Sequence, residues 1–457
     1  MTTTPSQGPP HPAGKPAAQS PAAQPTVGQP PAAQPPAAQP TVGQPATESA
    51  RRRSTGSRLG PLPVVNLVVL EVGVAIALVL LAVDTGLWWA ALMVLLIAVP
   101  LGLARWHGRW LVLWIQLFAR YLVRSHDRNV TSSDPTAAGP LAPSPGESVV
   151  GADDPRVSLL RLVLPDLVVA HGTDHEREPL GLAWHQGTWT AVLEVDAAPS
   201  LVTPVGGAPS LPLGALAPCL EDRGVVLDAI QVIWHCYPGS AALPSSSPAL
   251  SSYLEVLGPL PAAARRTTWV AVRLDPRRCL AAIQERGGGV VGSHRALIGA
   301  LSRVRSALGA RGVRTRPLDA DQLLRAGISA AELSSVAGTG HQVALRERWT
   351  GVTAAGIGHA SYAITGWPTQ GGAQNLNALT GVRALSTTVA LSVSPGEDGD
   401  EVGLRGLVRV SARNPAELEG ADDRLQAVSE RLGMTLTPLR GLQIAGLAAT
   451  LPLGAST

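Results

Sequence analysis

Two aspartates separated by one residue, Asp319 and Asp321, form the pattern in this sequence that most resembles a catalytic motif. Glycosyltransferases use such a D-x-D pair to hold a divalent cation and the phosphates of a nucleotide sugar. The pair also follows Pro317 and opens the helical pattern DADQLLRAG, where an aspartate caps the free amides of the first turn. Capping is the favoured interpretation. A membrane-anchored nucleotide-sugar-dependent transferase is the alternative function.

Two other patterns could hold a ligand. The segment from Gly287 to Gly292 matches G-x-G-x-x-G, but eleven helical-looking residues separate it from the preceding strand, and it lacks the lysine of a Walker loop. We expect it to connect two helices. His171 and the run Asp174, His175, Glu176 could ligate a metal, but Gly172 disfavours a helix there and an exposed loop is expected. We therefore predict no catalytic, cofactor or metal site, and no enzyme activity.

The charge is distributed unevenly along the 457 residues. The net charge is +3, yet residues 1–129 hold 10 basic and 4 acidic side chains, which leaves 26 and 29 for the rest. The slightly acidic remainder lacks the basic surface that nucleic-acid binding needs. Three widely spaced cysteines form no C-x-x-C pair, so neither zinc nor redox chemistry is indicated.

Two apolar runs are typical of membrane spans. Residues 62–83 are apolar apart from Asn66 and Glu71, and 22 residues at about 1.5 Å each extend about 33 Å. Residues 87–104 form the second run. A connection of about three residues joins them, so the sequence predicts a two-helix transmembrane hairpin within residues 59–104.

Arginines flank the hairpin on both sides, and the connecting loop has none. This bias predicts a multi-pass protein of the cytoplasmic membrane with both termini in the cytoplasm. Trp106, Trp110 and Trp114 follow at four-residue spacing, so on a juxtamembrane helix at 105–128 they would share one face. We expect either an interfacial anchor in the lipid bilayer or an extension of the second span packed on protein.

Glu71 lies about nine residues into the first span, where an ionised carboxylate is costly. We therefore expect it to make a helix–helix contact. Its polar partner would be Asn66 or a group on another subunit.

The remaining chain divides by composition. Residues 1–58 contain a Pro/Ala/Gln-rich repeat with little apolar surface to bury, so they are predicted to form a disordered tail. Residues 129–151 are rich in Pro, Gly and Ser and are predicted to be a linker. Residues 152–457 should form a cytosolic α+β (mixed α/β) domain, because hairpin and helix patterns interleave irregularly. Strands are expected at 156–164, 181–195 and 269–275 and in four segments between 341 and 412, and a helix at 415–432, followed by an extended C-terminus.

The order of these features resembles the EccE family, a core membrane component of the actinobacterial type VII (ESX) secretion system. The resemblance covers residues 51 to about 435. It rests on the two spans, R-W-x-G-R-W at 105–110, the hairpin phrase at 181–193, W-V-A-V-R-L-D-P-R-R-C at 269–279, and P-L-D-A-D-Q-L at 317–323. It implies a non-enzymatic structural subunit that assembles with EccB, EccC and EccD, in which EccC supplies the ATPase.

Overall fold

The structure is a computed structural model that describes residues 58–59, 62–106, 109–130, 150, 154–196, 211–237, 265–337, 342–368, 372–396 and 402–454. Nearly all of the predicted tail and most of the predicted linker lie outside these residues.

Two apolar helices form the N-terminal hairpin, α1 (Val64–Val83) and α2 (Trp88–Leu103). Their bounds agree with the predicted runs to within two residues. Asp84 caps the short 3₁₀ turn Thr85–Leu87 between them by accepting a 2.8 Å hydrogen bond from the Gly86 amide. Both helices are long and apolar enough to cross a membrane, and most of their side chains are exposed on the protein. The predicted pair of apolar helices is confirmed.

A third apolar helix, α3 (Leu111–Val123), follows after a small hairpin in which Arg105–Trp106 pairs with Arg109–Trp110. The predicted continuous helix at 105–128 is therefore interrupted at its start. It also ends early, because Arg124 is already extended and residues 127–130 pair in a sheet. The chain thus enters the domain directly after α3, before the predicted linker begins.

The domain contains a sheet of thirteen described strands. They are β1 (Asp127–Val130), β2 (Val168–Thr173), β3 (Pro179–His185), β4 (Thr188–Val195), β5 (Ala229–Tyr237), β6 (Arg265–Leu274), β7 (Thr315–Pro317), β8 (Val343–Glu347), β9 (Val352–Ala354), β10 (Ile357–Gly366), β11 (Ser386–Pro395), β12 (Val402–Ala412) and β13 (Thr435–Pro438). All of the pairings are antiparallel, and the order is β1-β8-β9-β10-β12-β11-β5-β6-β4-β3-β2, with β7 beside β4 and β13 beside β10. Two-residue pairs also join Arg58–Leu59 to Leu62–Pro63 and Glu221–Asp222 to Val225–Val226.

Helices cover both faces of this sheet. They are α4 (Pro155–Arg161), α5 (Leu280–Glu285), α6 (Gly289–Gly309), α7 (Ala320–Ala330), α8 (Gly372–Leu379), α9 (Pro415–Arg431) and α10 (Gln443–Ala448). One buried core lies under α5, α6, α8 and α9, and the other under α4, α7 and α10. The predicted mixed domain of helices and antiparallel strands is confirmed.

The sheet consists of two halves with the same topology. The first half has the order β2-β3-β4-β6-β5 with β7 beside β4, and the second has β8-β9-β10-β12-β11 with β13 beside β10. At the centre β5 pairs with β11, with Ile233 opposite Ala390. Because this pair is antiparallel, an approximate two-fold axis relates the halves. Each half continues through a long helix, α6 or α9, on the same face.

Short sequence matches accompany the repeated topology. Pro317-Leu318 and Pro438-Leu439 are each followed by a glutamine four residues after the leucine. The Leu318 amide donates to the Val192 carbonyl in the first half, and the Leu439 amide donates to the Ser361 carbonyl in the second. Positive φ angles at the central residues give both β3–β4 and β9–β10 a tight hairpin turn, 48° and 85° at Gln186-Gly187, 50° and 82° at Ala355-Gly356. The sequence patterns do not predict this duplication.

Two local predictions are wrong. The segment 156–164 begins as helix α4 instead of a strand, because Asp154 caps the Arg156 amide at 2.8 Å and Pro155 occupies the first helical position. The C-terminal segment contains α10 where an extended chain was expected. Both segments are apolar runs too short for periodicity to distinguish helix from strand.

Candidate membrane and assembly site

Asn66 links the two helices of the hairpin across their contact. It is wholly buried, and its Nδ2 donates a 2.9 Å hydrogen bond to the Gly102 carbonyl. The two helices approach closely because small residues face each other; a Cβ on Gly73 would lie 2.3 Å from the Cβ of Ala98. Asn66 thus stabilises the contact between α1 and α2.

Glu71 lies on the outside of the hairpin. It is exposed, and at 100° per residue it is about 140° around α1 from Asn66. This position excludes Asn66, one of the two partners predicted for Glu71. Within the described part of the chain, no hydrogen bond or ion pair involves the Glu71 carboxylate.

The three predicted anchor tryptophans do not share a helix face. Trp106 and Trp110 belong to the two-residue strand pair, and only Trp114 is in α3. The extended backbone at Trp110 (φ −68°, ψ 142°) separates them, and the Leu111 amide donates to the Ala104 carbonyl at 3.0 Å. The prediction of one tryptophan face along a helix at 105–128 is wrong.

Trp114 instead contacts the domain through Trp349, which lies in the turn between β8 and β9. The Trp349 ring is 5.7 Å from Trp114, 5.5 Å from Phe118 and 5.1 Å from Tyr121, measured between ring centroids. These separations and tilted or edge-on angles are favourable for aromatic pairs. We call Trp114, Phe118, Tyr121 and Trp349 the aromatic joint.

Backbone contacts hold Trp349 and complete the aromatic joint. The Gly441 amide donates to the Trp349 carbonyl at 2.9 Å, and a Cβ on Gly441 would lie 2.6 Å from the Trp349 ring. The Arg440 guanidinium carbon lies 5.7 Å from the centre of the Trp114 ring, within the range of a cation–π contact. A side chain larger than glycine at 441 would displace the Trp349 ring.

The residues directly after α3 are hydrogen-bonded to the sheet. The His126 carbonyl accepts from the Glu347 amide at 2.8 Å, and β1 then pairs with β8. Arg128 Nη1 donates to the Leu162 carbonyl at 3.0 Å, which connects this edge to the segment after α4. The hairpin, α3 and the sheet are therefore joined by a continuous set of contacts.

The aspartate pair behaves as a helix start. Asp319 Oδ1 accepts from the Gln322 amide at 2.7 Å and the Gln322 side chain accepts from the Asp319 amide, which forms a capping box at α7. Asp321 forms a 2.8 Å ion pair with Arg156. The capping interpretation is confirmed, and this geometry gives no support to a transferase.

The other two patterns have structural roles as well. His171 is an exposed residue of strand β2, where a loop was expected, and Asp174, His175 and Glu176 lie in the turn between β2 and β3. Gly287 to Gly289 have positive φ angles and connect α5 to α6, as predicted. Asp174, Glu176 and Glu178 place carboxylates within 4.8 Å of one another, and Arg305 Nη1 lies 3.1 to 3.8 Å from all three. Arg305 offsets part of the negative charge of this turn.

The structure also contains a buried polar network that the sequence analysis missed. Arg409 on β12 is wholly buried, and its Nη2 donates to the Ala330 carbonyl at the end of α7 and to Thr388 Oγ1, the latter at 3.0 Å. Thr388 Oγ1 lies 2.8 Å from His235 Nδ1. Because a guanidinium only donates, the Thr388 hydroxyl accepts from Arg409 and is free to donate to the imidazole.

Glu332 completes this network. Its Oε1 lies 3.7 Å from His235 Nε2, and its Oε2 accepts a 2.6 Å hydrogen bond from the Tyr237 hydroxyl. Glu332 has φ +59°, a conformation that side-chain-bearing residues rarely adopt. His235 and Tyr237 belong to the first half of the sheet, and Thr388 and Arg409 to the second. The network therefore joins the two halves.

Burial sets the charges in the network. Burial and the nearby Arg409 lower the pKa of His235 to about 3, so its imidazole is neutral near pH 7. Burial also lowers the pKa of Arg409 to about 10, which still leaves the guanidinium charged. Burial raises the pKa of the Glu332 carboxyl.

The sequence pattern conceals this site, because Arg409 alternates with Val408 and Val410 and alternation suggests a solvent-facing side chain. In the structure, helices cover both faces of the sheet, so Arg409 is buried although it alternates with valines.

Comparison with known proteins agrees with the resemblance seen in the sequence. The family model described as "Putative type VII ESX secretion system translocon, EccE" matches residues 262–364. ESX-1 secretion system protein EccE1 of Mycobacterium tuberculosis is 24% identical over 319 residues, 68% of this chain and 57% of that protein. ESX-5 secretion system protein EccE5 of Mycobacterium marinum is 27% identical over 297 residues, 62% of this chain and 67% of that protein. The predicted resemblance to the EccE family is confirmed, and the match spans just over half of the M. tuberculosis relative.

Among solved structures, the match to an alkyldihydroxyacetonephosphate synthase covers 55% of this chain and 41% of the synthase chain. Its sequence identity is 10% and the TM-score is 0.26. At that score the likeness supports no statement about fold or activity.

Arg409→Met should destabilise the protein by about 3–5 kcal/mol, because it leaves the buried Glu332 carboxylate without its compensating charge. Arg405→Met, an exposed position on the same strand, should change stability by about 0.5 kcal/mol or less. The free energy of unfolding of the full chain in mild detergent, followed by tryptophan fluorescence, measures both. The double variant Arg409→Met/Glu332→Gln should lose less than the sum of its single variants. Equal losses at 405 and 409 would contradict the network.

Proposed function

We propose that this protein is a structural subunit of a type VII (ESX) secretion membrane complex. The observation that carries the proposal is the match to the EccE family, whose relatives are named as ESX-1 and ESX-5 secretion system proteins. The structure supports it with a hairpin of two apolar helices attached to a large domain. The two D-x-D carboxylates have capping and ion-pairing roles, so we assign the protein no catalytic activity.

Partnership with EccB, EccC and EccD is part of this proposal and rests on the family resemblance. The ATPase would belong to EccC, since the glycine-rich segment at 287–292 of this chain lacks a Walker lysine. The present subunit would supply a membrane-attached scaffold.

We further propose that the hairpin spans the cytoplasmic membrane with both ends on the cytoplasmic side, which would make the sheet domain cytosolic. The support is the arginines before α1 and after α2, against an arginine-free loop with Asp84. Trp106 and Trp110, at the junction after α2, are proposed to lie at the inner membrane interface.

Glu71 is proposed as a contact with a partner subunit inside the membrane. It is the one ionisable side chain in α1 and α2, and it lies among exposed apolar side chains, with Val68 48% and Val72 51% exposed. An unpaired charge at a helix centre costs at least about 2.5 kcal/mol in lipid. A hydrogen-bond donor on a neighbouring transmembrane helix would offset that cost.

Glu71→Leu should insert normally but co-purify with less of the secretion complex, because the polar contact is lost. Glu71→Gln keeps hydrogen-bonding capacity and should largely preserve association, and Val72→Leu is the matched apolar control. Affinity purification in mild detergent, with the amounts of the other subunits quantified, measures the effect. Full recovery of all partners with Glu71→Leu would show that this residue is not an assembly contact.

A cysteine in place of Thr85 should be labelled from outside intact cells by a membrane-impermeant reagent, while Ser125→Cys should be labelled only after permeabilisation. Both positions are exposed on the protein, so access depends on the side of the membrane. The native cysteines are buried, which limits background labelling. Labelling of position 125 in intact cells would reverse the proposed orientation.

A further inference from the structure

Helix α3 presents an apolar surface that the described domain leaves about half exposed or more, although Phe118, at the edge of this surface, also contacts Trp349. Ile115, Phe118 and Leu122 are 50%, 49% and 65% exposed, and Val123 at the end of the helix is 90% exposed. The first three are spaced by three and four residues, so they line one face of the helix. We call these four residues the outer face of α3.

The position of α3 restricts what can cover this outer face. Its first amide, of Leu111, donates to the carbonyl of Ala104, the residue directly after α2. The helix therefore begins where the second apolar helix ends. Its 13 residues extend about 20 Å, too short to cross a hydrocarbon core of about 30 Å. Its other side is occupied by Trp349 of the domain.

The charges around α3 favour a particular surface. Arg120 and Arg124 lie on and directly after the helix, and Arg348 and Arg440 flank the aromatic joint from the domain. The helix itself contains no acidic residue. A short helix with an apolar face and bordering arginines at the end of a membrane span has the character of an interfacial helix on anionic lipid.

We propose that α3 lies in the plane of the inner leaflet, with its outer face at the acyl boundary and its arginines on anionic phospholipid headgroups. This inference rests on the proposed membrane insertion of the hairpin. It differs from anchoring by three tryptophans, because Trp114 faces the domain and the lipid contacts belong to Ile115, Phe118, Leu122 and Val123. Through the aromatic joint, α3 then holds the sheet domain in a fixed orientation at the membrane surface.

Nitroxide labels at cysteine positions in the full chain, reconstituted in nanodiscs that contain phosphatidylglycerol, test the proposal. Labels at Leu122→Cys and, separately, Ile115→Cys should show an oxygen-to-nickel-chelate accessibility ratio several-fold above that of Ser306→Cys, an exposed position on α6. All three positions are exposed, so a label does not disturb the core, and the three native cysteines are buried. No other subunit is present, so a high ratio reports lipid.

Ile76→Cys, an exposed position on α1, reports the hairpin independently. Lipid-like values at 76 with water-like values at both 115 and 122 would overturn the proposal for α3 and leave the inserted hairpin intact. Water-like values at 76 would overturn the proposed membrane insertion itself. In nanodiscs of phosphatidylcholine alone, the ratio at 122 should fall; an unchanged ratio would overturn the role given to anionic headgroups.

Discussion

The contact between Trp349 and helix α3 determines how the domain is attached to the apolar hairpin. Three rings of α3 surround one tryptophan of the β8–β9 turn, and the next residues pair with β8. Aromatic pairs of this kind contribute about 0.5–1.5 kcal/mol each beyond their buried area. The backbone hydrogen bonds of β1 follow within a few residues, so ring contacts and strand pairing together attach the domain. The segment that composition predicts to be a linker, residues 129–151, begins within β1.

The duplicated sheet explains where stability and specificity reside in the domain. Equivalent strands in the two halves bury apolar faces, yet the halves differ at particular rows. At one of them Ala271 pairs with Val192, whereas its counterpart Arg409 pairs with Ser361. The second half therefore contains a buried guanidinium where the first contains a methyl group. That guanidinium donates to the Ala330 carbonyl and to Thr388 Oγ1, and the nearby Glu332 carboxylate favours its charged form. The network fixes how the halves meet.

Much of this architecture follows from local sequence. The ends of α1 and α2 are marked by the limits of uninterrupted apolar runs, and α9 was predicted at 415–432 and occurs at Pro415–Arg431 because Asn414 and Pro415 signal its start. Long-range features were not predictable in this way. Alternation around Arg409 cannot show that a helix covers the outer face, and the four-residue spacing of the tryptophans cannot show that the helix begins only at Leu111. The duplication is recognised from the hydrogen-bond register of the strands together with a few matched residues, which a search of the sequence for patterns does not reveal.

We expect these contacts to hold the hairpin, α3 and the sheet together as one rigid body. Double electron–electron resonance on the full chain in nanodiscs tests this through the distance distribution between nitroxides at Leu78→Cys on α1 and Ser306→Cys on α6. Both positions are exposed. A single narrow distribution is expected, and Trp349→Ala should broaden it. A broad distribution in the protein without the Trp349 substitution would contradict the rigid joint and show that the domain moves freely on its membrane attachment.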